Sequence, residues 1–207
     1  MRLLITAGPT REFLDSVRFI SNPSTGKMGY AIARAAVRRG HEVTLISGPA
    51  ALREPVGVRI IHVTTAEEML RASVGAFRRS DAAVMTAAVC DYRPVHRALR
   101  KEKKQASRFS LPLELTTDIC ACLGHSKRRR IVVGFAMEDH DHRAHAQAKL
   151  RAKNCDAIVL NGPDNVGADR AEIEILTADG EWRGPFRGTK RQAASRIVSL
   201  IERLAKR

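Results

Sequence analysis

Hydroxyl, amide and glycine residues cluster ahead of an apolar helical pattern near the start of the chain. Residues 21–29 read SNPSTGKMG, and apolar positions follow at Ile32, Ala35 and Ala36. This spacing predicts a helix whose first turn lies in the cluster. Glycines let an anion approach backbone N–H groups, and the helix dipole favours negative charge at this end. The cluster therefore predicts a binding site for a phosphate or another oxyanion.

An acidic residue follows a second pattern, the one most typical of a buried strand. Residues 82–88 are all apolar or small, and the segment 87–94 reads AAVCDYRP. Ligands of doubly wound sheets bind beyond the carboxyl ends of the strands, so Asp91 is expected to face a ligand. The small side chains of Ala87 and Ala88 leave room for a planar base against the backbone.

Two lysine-rich segments have both a solvated and a functional interpretation. Residues 99–105, LRKEKKQ, form a basic stretch without apolar periodicity. Lys149 and Lys153 are four residues apart, so they share one face of a predicted helix. Charges in such patterns are commonly solvated. A lysine loop that follows Asp91, however, is also placed to close on a bound anion.

The elements that position these residues alternate between strand and helix patterns. Short apolar runs predict six strands, and helical periodicity fills most of the intervals between them. The strands are expected at residues 3–7, 42–46, 58–63, 82–88, 131–136 and 157–160. Thr65 and Glu68 form a capping box at the start of one helix. This order predicts an α/β fold with a Rossmann-like parallel sheet.

The C-terminal part of the chain predicts an antiparallel extension of that sheet. Residues 172–187 read as a hairpin, and residues 189–206 as an amphipathic helix. A weaker strand pattern lies at 111–115. The connection from Gly8 to Gly26 is longer than the roughly 2–6 residues of ordinary strand–helix loops. It is expected to be a functional loop.

Composition limits the class of protein. The 207 residues suit a single domain, 1–207, and the contents of 44% hydrophobic and 28% charged residues are typical of a soluble globular chain. No apolar run of about 18 residues is present to span a bilayer. The four cysteines, at positions 90, 120, 122 and 155, form no disulfide framework and are expected to be reduced. A cytoplasmic location is the expectation.

The formal net charge of +14 calls for a polyanionic partner. A nucleic-acid-binding module is one alternative, but the charges are scattered, aromatic residues make up only 4% of the chain, and no nucleic-acid-binding signature occurs. A nicotinamide-dependent Rossmann reductase is a second alternative. It would need a glycine fingerprint directly after the first strand and an acidic residue at the ribose, and both are missing. Nucleotides and phosphorylated metabolites remain as partners.

Several segments together resemble a known family, the phosphopantothenoylcysteine synthetases of coenzyme A biosynthesis. Residues 8–29, GPTREFLDSVRFISNPSTGKMG, resemble the opening signature of that family. AAVCDYRP is similar to its AAVADYRP, GFAMED to its GFAxET, and Lys101-x-Lys103-Lys104 to its K-x-K-K. Lys149-x-x-x-Lys153-Asn resembles its K-x-x-x-K-N. The chain departs from the pattern at Cys90, and at Thr116-Thr117, where the family more often has Asn-Pro.

The resemblance implies a set of site residues. Asn22 and Lys101 would be catalytic, and Asp91 would also face the magnesium ion. The implied nucleotide- and anion-binding residues are Ser24, Thr25, Gly26, Gly29, Ala87, Ala88, Asp91, Thr116, Thr117, Asp118, Ile119, Phe135, Lys149 and Lys153. Phe135 is equally well explained from the sequence as a core aromatic at a strand end.

The resemblance also implies a reaction and its partners. A phosphopantothenate–cysteine ligase would activate 4'-phosphopantothenate with CTP and Mg²⁺ and then form an amide with L-cysteine, releasing CMP and pyrophosphate. ATP is the alternative nucleotide. A homodimer is implied that pairs through sheet strands, and the 172–187 hairpin is expected to offer the edge for this pairing. A separate phosphopantothenoylcysteine decarboxylase is a further candidate partner, and no nucleic acid or membrane is expected as a partner.

Two groups of potential metal ligands have simpler explanations. Cys120 and Cys122 lack the second pair of ligands that a zinc site needs and are expected to lie on a helix. Residues 138–145, EDHDHRAH, contain carboxylates and histidines at the predicted start of a helix. Carboxylates are favoured in a first helical turn, so this group is also expected to be structural.

Overall fold

The structure is a computed structural model that describes residues 1–101, 103 and 110–206. Its strands are β1 (Arg2–Ala7), β2 (Arg11–Phe13), β3 (Phe19–Ser21), β4 (Glu42–Ser47), β5 (Val58–His62), β6 (Ala82–Met85), β7 (Tyr92–Pro94), β8 (Leu113–Leu115), β9 (Ile131–Met137), β10 (Ala157–Asn161), β11 (Arg170–Thr177) and β12 (Trp182–Thr189). Its helices are α1 (Lys27–Arg38), α2 (Ala66–Phe77), α3 (Ile119–His125), α4 (His142–Ala152) and α5 (Lys190–Leu204), with a 3-10 turn at Pro163–Asn165.

The main sheet has eight strands in the order β12-β11-β10-β9-β6-β1-β4-β5. The six strands from β10 to β5 pair in parallel, and β11 and β12 add an antiparallel hairpin at one side. The predicted α/β fold with a parallel sheet and a hairpin extension is therefore confirmed. The parallel strands place their carboxyl ends at one edge, with β1, β6 and β9 as direct neighbours there.

Helices cover both faces of this sheet, which explains why its strands read as continuous apolar runs. Helices α1 and α5 pack on one face around a core that includes Ile5, Ile32 and Ile197. Helices α2, α3 and α4 pack on the other face around Leu4 and Leu123. Within the described ranges, no helix is both long and apolar enough to cross a membrane.

The long connection between β1 and α1 contains secondary structure that the sequence did not predict. It contains a short hairpin, in which β2 and β3 pair antiparallel. The buried Asp15 forms the turn, because its carboxylate accepts hydrogen bonds from the backbone N–H groups of Val17 and Arg18, each at 2.8 Å. Three-residue strands are too short to give a clear pattern of alternation. The 111–115 pattern likewise yields only β8, which pairs with β7 in a separate two-stranded sheet.

Strand β6 ends at Met85 and not at residue 88 as predicted. Beyond Met85, side-chain hydroxyls replace the backbone hydrogen bonds between β6 and β1. Thr86 Oγ1 donates to the Thr6 carbonyl at 2.5 Å, and the Ala87 N–H donates to Thr6 Oγ1 at 3.2 Å. Pairing resumes only as an isolated bridge between Pro9 and Ala88. The small residues 86–89 therefore turn across the end of β1 instead of extending the strand.

Helix ends follow the local sequence closely, with one exception. The capping box of Thr65 and Glu68 is present, and α3 contains Cys120 and Cys122 as expected. The prediction that carboxylates fill the first turn of α4 was wrong: the helix begins at His142, and its first turn has no acidic residue. Asp141 sits at the N-cap with a φ of 44°, so the acidic residues precede the helix.

Gly29 allows α1 to pack directly on the end of β1. A Cβ atom at this position would lie 2.5 Å from the Ala7 Cβ and 2.6 Å from Thr86 Oγ1. Neither neighbour can retreat easily, since Ala7 is in the central strand and Thr86 is hydrogen-bonded to Thr6. Gly29 is thus required by the packing between α1, β1 and the segment after β6.

The first prediction concerns this contact. Gly29→Ala is expected to lower the free energy of unfolding by about 1–3 kcal/mol, the usual penalty of forcing an extra group into a packed core. Gly75→Ala is the control, because Gly75 lies in α2 and a Cβ added there would meet no atom within 4 Å. Gly75→Ala should raise the free energy of unfolding by about 0.5–1 kcal/mol, because alanine has a higher helix propensity than glycine. Urea unfolding of both variants tests this, and wild-type stability of Gly29→Ala would contradict it.

Candidate active site

The side chain of Asn22 joins the loop before α1 to the segment after β6. Its Nδ2 group donates to the carbonyl oxygens of Ala88 at 3.2 Å and Val89 at 3.1 Å. The backbone supports the same junction, since the N–H of Ala88 donates to the Gly8 carbonyl at 2.9 Å. Asn22 remains solvent-exposed. Two motifs that are 66 residues apart in the chain are thus brought together at the carboxyl ends of β1 and β6.

The N-terminus of α1 has the features of an anion-binding site. Gly26 is the N-cap residue with a φ of 76°, no side chain caps the helix, and no acidic residue lies in the first turn. Ser24 Oγ accepts a hydrogen bond from the Gly26 N–H at 3.4 Å. Thr25 is exposed beside it. Gly29, by contrast, is buried in the packing against β1, so its part in the site is to position the helix.

Asp91 lies beyond the end of β6, as expected, and is exposed. Its backbone carbonyl accepts a hydrogen bond from the Thr116 N–H at 2.9 Å, and Thr116 Oγ1 donates to the Cys90 carbonyl at 2.6 Å. Thr117 is exposed. Thr116 therefore holds its own segment against residues 90–91. It does so with its backbone N–H and its hydroxyl group, although the family more often has an asparagine at this position.

Cys90 is buried in the scaffold of this segment. Its backbone N–H donates to Thr10 Oγ1 at 2.9 Å, and its thiol donates to the Thr10 carbonyl at 3.5 Å. Burial raises the pKa of the Cys90 thiol, so it stays protonated. Thr10, which sequence reasoning did not single out, is itself fully buried. Nothing in its neighbourhood in the sequence signalled this role.

Asp118 has two partners at the start of α3. Its carboxylate accepts the Ala121 N–H at 2.9 Å as an N-cap, and it pairs with Lys153 Nζ at 2.9 Å. Burial alone would raise the pKa of Asp118, but the Ala121 hydrogen bond and Lys153 outweigh it and lower the pKa. Burial alone would lower the pKa of Lys153, but the hydrogen bond and charge of Asp118 outweigh it and raise the pKa. The next residue, Ile119, is a buried core residue.

Lys149 has a different carboxylate partner. Its Nζ atom lies 2.6 Å from Glu138 Oε1, while His145 Nδ1 lies 3.3 Å from the other oxygen of the same carboxylate. Only 11% of the Glu138 side chain is exposed. Sequence reasoning gave Glu138 no role, although its place directly after β9, within the GFAMED motif, was the available signal. Lys149 lies in α4 and Lys153 directly follows its last residue, and the two lysines pair with separate carboxylates.

Phe135 lies within β9, opposite Val159 of β10. It is partly buried and packs against the core cluster formed with α1 and α5. The buried part of Phe135 fits its interpretation as a core aromatic, and the exposed part fits its interpretation as a surface for a base. Ala87 is half-buried between the end of β1 and the second core cluster.

Lys101 is exposed and, in the part of the chain that the structure describes, forms no ion pair. Lys103 is also exposed. Residues 102, 104 and 105 of the predicted closing loop lie outside the described residues, as do residues 106–109. Within the described residues, the link between the K-x-K-K motif and the site is therefore its position in the chain, after β7.

The end of β4 bears on the reductase alternative. A dinucleotide-binding fold holds the ribose with a carboxylate near this position. Here the strand ends in Ser47, which is buried and hydrogen-bonded to the Tyr30 hydroxyl at 3.0 Å. The structure thus places a buried serine where that alternative needs an exposed acid.

The histidine-rich segment before α4 gathers three side chains. One ring nitrogen from each of His140 and His145 and a carboxylate oxygen of Asp141 lie within 4.8 Å of one another. His140 Nδ1 is 2.5 Å from its neighbour Asp139. His140 and Asp141 are exposed and His145 is half-buried, and the ion-pair partners of the two histidines lie outside this group, at Asp139 and Glu138.

The site therefore consists of two connected parts. One is the α1 N-terminus with Asn22, Asp91 and the small residues after β6. The other is the pair of ion-paired lysines at the C-terminal end of α4, Lys149 in the helix and Lys153 just after it, which are called the α4 lysines below. Thr116 and Asp118 link the parts, because one bonds to the Asp91 segment and the other to Lys153. Vacant N–H groups, an exposed carboxylate and lysines held by displaceable partners suit a polyanionic ligand with a cation.

Two solved structures share the fold of this chain. The crystal structure of the C-terminal domain of coenzyme A biosynthesis bifunctional protein CoaBC superposes with a TM-score of 0.86 at 40% identity, covering 99% of this chain and 95% of that one. A Cab2 mutant in complex with phosphopantothenate-cysteine gives a TM-score of 0.81, covering 99% of this chain and 87% of that one. At 14% identity the second match shows the shared fold alone.

Curated sequences give the same result. The chain is 43% identical over 209 residues to the bifunctional protein CoaBC of Bacillus subtilis, covering 99% of this chain and 52% of that protein. It is 39% identical over 210 residues to CoaBC of Haemophilus influenzae, covering 100% of this chain and 52% of that protein. The chain thus spans about half the length of the curated relatives it matches.

A family model completes the comparison. The model described as the DNA/pantothenate metabolism flavoprotein C-terminal domain matches residues 1–204. This range includes both parts of the site and the whole eight-stranded sheet. The chain belongs to the family of the DNA/pantothenate metabolism flavoprotein C-terminal domain.

Proposed function

We propose that the chain is a phosphopantothenate–cysteine ligase that acts as one domain in the cytoplasm. It joins the carboxyl group of 4'-phosphopantothenate to the amino group of L-cysteine and uses CTP with Mg²⁺. The observation that carries the proposal is the contact of Asn22 with the carbonyls of Ala88 and Val89, because it unites two motifs of the synthetase resemblance at one edge of the sheet. The relatives named for coenzyme A biosynthesis support it.

The chemistry needs activation of a poor acyl donor. The carboxylate of 4'-phosphopantothenate attacks the α-phosphate of CTP, which forms an acyl-cytidylate and releases pyrophosphate. The amino group of cysteine then attacks the acyl carbon, and CMP leaves. No protein nucleophile is required, since positioning of the reactants and stabilisation of developing charge are sufficient.

The α4 lysines are proposed to bind the triphosphate by exchanging partners. Without nucleotide, Glu138 holds Lys149 and Asp118 holds Lys153. A triphosphate carries more negative charge than either carboxylate, so it can draw both ammonium groups away. Lys101 would approach from the loop after β7. The carboxylates hold the lysine side chains in defined conformations, which lowers the entropic cost of binding the triphosphate.

Asp91 is proposed to bind the Mg²⁺ that accompanies the nucleotide. Magnesium prefers oxygen ligands and commonly uses one or two carboxylates together with phosphate oxygens. Asp91 fits this requirement because it is exposed and, within the described ranges, its carboxylate forms no ion pair. The base is proposed to lie between the small residues Ala87 and Ala88 and the ring of Phe135, near Thr116 and Thr117.

The proposal extends to a decarboxylase partner. The relatives are named as bifunctional, and this chain corresponds to about half of their length. A phosphopantothenoylcysteine decarboxylase would consume the product of the ligase. We place that activity in a separate partner or segment.

The second prediction is that CTP supports amide formation far better than ATP. Backbone groups of the segment after β6 can read the edge of a base, and the DYRP and K-x-K-K motifs resemble those of bacterial synthetases. The measurement supplies 4'-phosphopantothenate, cysteine, Mg²⁺ and one nucleoside triphosphate at a time, and identifies the monophosphate released. Equal or greater turnover with ATP would overturn the cytidine assignment.

The third prediction separates Asn22 from Lys101. Both hydrogens of the Asn22 amide are donated to the carbonyls of Ala88 and Val89, so one of them has to turn to the oxyanion during acyl transfer. Asn22→Asp removes this donor and places a carboxylate where negative charge develops, so turnover should fall by about 100- to 1000-fold, the typical effect of losing one oxyanion donor. Its affinity for CTP should change little, since that depends on Phe135, Lys149 and Lys153. Lys101→Gln should lower turnover and also weaken CTP binding, because the lysine contacts phosphate.

Steady-state rates and calorimetric titration with CTP distinguish the two variants. Arg100→Gln is a matched control, since it removes a neighbouring exposed charge outside the motif. It should change both quantities only slightly. A near-wild-type rate for Asn22→Asp would remove Asn22 from the mechanism, and a purely structural effect would appear as a lowered thermal midpoint.

The fourth prediction is a homodimer. The exposed edge of the C-terminal hairpin is β12, in which Pro185 and flanking arginines discourage strand pairing. Large apolar side chains are instead exposed on the two small sheets and the turn of the first. They are Val17 (57%), Phe19 (40%), Tyr92 (51%), Leu113 (44%) and Leu115 (71%). We therefore place the second copy on these small sheets.

Light scattering at micromolar concentration measures the mass of the assembly. The wild-type chain should have the mass of a dimer, and Leu115→Glu should shift it to a monomer. Val56→Glu is the control, because Val56 is 87% exposed but lies between β4 and β5. A monomer with full activity would contradict the prediction, and a dimer that survives Leu115→Glu would contradict the choice of surface.

A further inference from the structure

Two cysteine side chains from distant parts of the chain meet on the α3 side of the sheet. The Sγ atoms of Cys120, in α3, and Cys155, just before β10, are 3.5 Å apart. Both thiols are free, Cys155 is buried and Cys120 is partly exposed. A disulfide needs a sulfur-to-sulfur distance of about 2.05 Å, so the two atoms are a small side-chain movement away from bonding.

The backbone on both sides of this pair is firmly held. Asp118 at the start of α3 pairs with Lys153, and Asn154 Nδ2 donates to the Gly124 carbonyl at 2.9 Å. Gly134 of β9 faces both sulfurs, since a Cβ there would lie 3.3 Å from each. The fold itself therefore holds the two thiols in contact, and the missing side chain of Gly134 leaves room beside both sulfurs.

Charges around the pair make its two thiols unequal. The hydrogen bond from the Cys120 thiol lowers the pKa of Cys155, and the nearby ammonium groups of Lys153 and Lys127 lower it further against the effect of burial. The same hydrogen bond, together with burial, raises the pKa of Cys120. The thiol with the lowered pKa is the one that attacks an oxidant more readily, and the thiol in contact with it is placed to resolve the product.

We propose that Cys120 and Cys155 are a reversible oxidation site that forms an intramolecular disulfide with peroxides. The Cys155 thiolate attacks one oxygen of hydrogen peroxide, the O–O bond breaks, and hydroxide leaves and takes up a proton to become water. This step gives a sulfenic acid on Cys155. Cys120 then attacks that sulfur, the S–S bond forms, and the sulfenic hydroxyl leaves as water with the Cys120 proton. Two sulfurs are oxidised and the peroxide is reduced.

The cross-link would join α3 to the turn between α4 and β10, beside the ion pair of Asp118 and Lys153. The cross-link would hold the Asp118 carboxylate next to Lys153. Asp118 would then compete more strongly with a phosphate group for the ammonium group of Lys153. The oxidised chain should therefore have a higher KM for CTP than the reduced chain, and dithiothreitol should restore the lower value. This consequence rests on the proposed function, whereas the disulfide itself does not.

The test treats the full chain with hydrogen peroxide, blocks the remaining thiols and maps the linkage by mass spectrometry without reduction. The chain should lose the mass of two hydrogen atoms, and its thiols in denaturant should fall from four to two. A peptide pair containing Cys120 and Cys155 should account for the change. Cys120→Ser and Cys155→Ser should each abolish it. Cys122→Ser, a control in the same helix, should leave it intact.

The outcomes separate the two claims. Addition of oxygen to Cys120 or Cys155 without a cross-link, a link through Cys122, or a link between two chains would each overturn the proposed pair. A confirmed cross-link that leaves the KM for CTP unchanged would overturn only the coupling to the nucleotide. If the chain shows no ligase activity at all, the mass measurement still decides whether the pair is an oxidation site.

Discussion

The hydrogen bonds from Asn22 to the carbonyls of Ala88 and Val89 are the constraint on which the rest of the site depends. They exist only because α1 begins directly over the end of β1, and this requires the missing side chain of Gly29. Thr6 completes the arrangement by replacing the strand ladder beyond β6 with side-chain hydrogen bonds. The close packing at Gly29 and the carbonyl oxygens of Ala88 and Val89 thus define the geometry of a binding site at the edge of a parallel sheet.

Electrostatics dominate the second part of the site. A chain with a net charge of +14 could bind anions anywhere, but the two α4 lysines are each held in place by a carboxylate partner at this site. Surface ion pairs of this kind contribute little to stability, so their main effect is to order the lysine side chains. Binding of a triphosphate then becomes an exchange of partners, in which Glu138 and Asp118 are released. This account makes the carboxylates part of the site, although they repel the ligand.

The sequence predicted the main sheet and the helix starts well, because long buried strands and capping residues leave strong local patterns. The box of Thr65 and Glu68 is one example, and the apolar run that became β1 is another. The hairpin of β2 and β3 escaped prediction, since its strands are too short to alternate and its turn depends on the buried Asp15. Long-range contacts left no local signal: the partners of Asn22 and the approach of Cys120 to Cys155 follow only from the fold.

The central claim is that the carboxylate of 4'-phosphopantothenate is activated as an acyl-cytidylate at this site. The most direct measurement uses 4'-phosphopantothenate with oxygen-18 in its carboxyl group, together with CTP, Mg²⁺ and cysteine. Attack of the carboxylate on the α-phosphate predicts that one labelled oxygen appears in the phosphate of the released CMP. Label in inorganic phosphate, with CDP as the nucleotide product, or unlabelled CMP formed alongside the amide, would contradict the account.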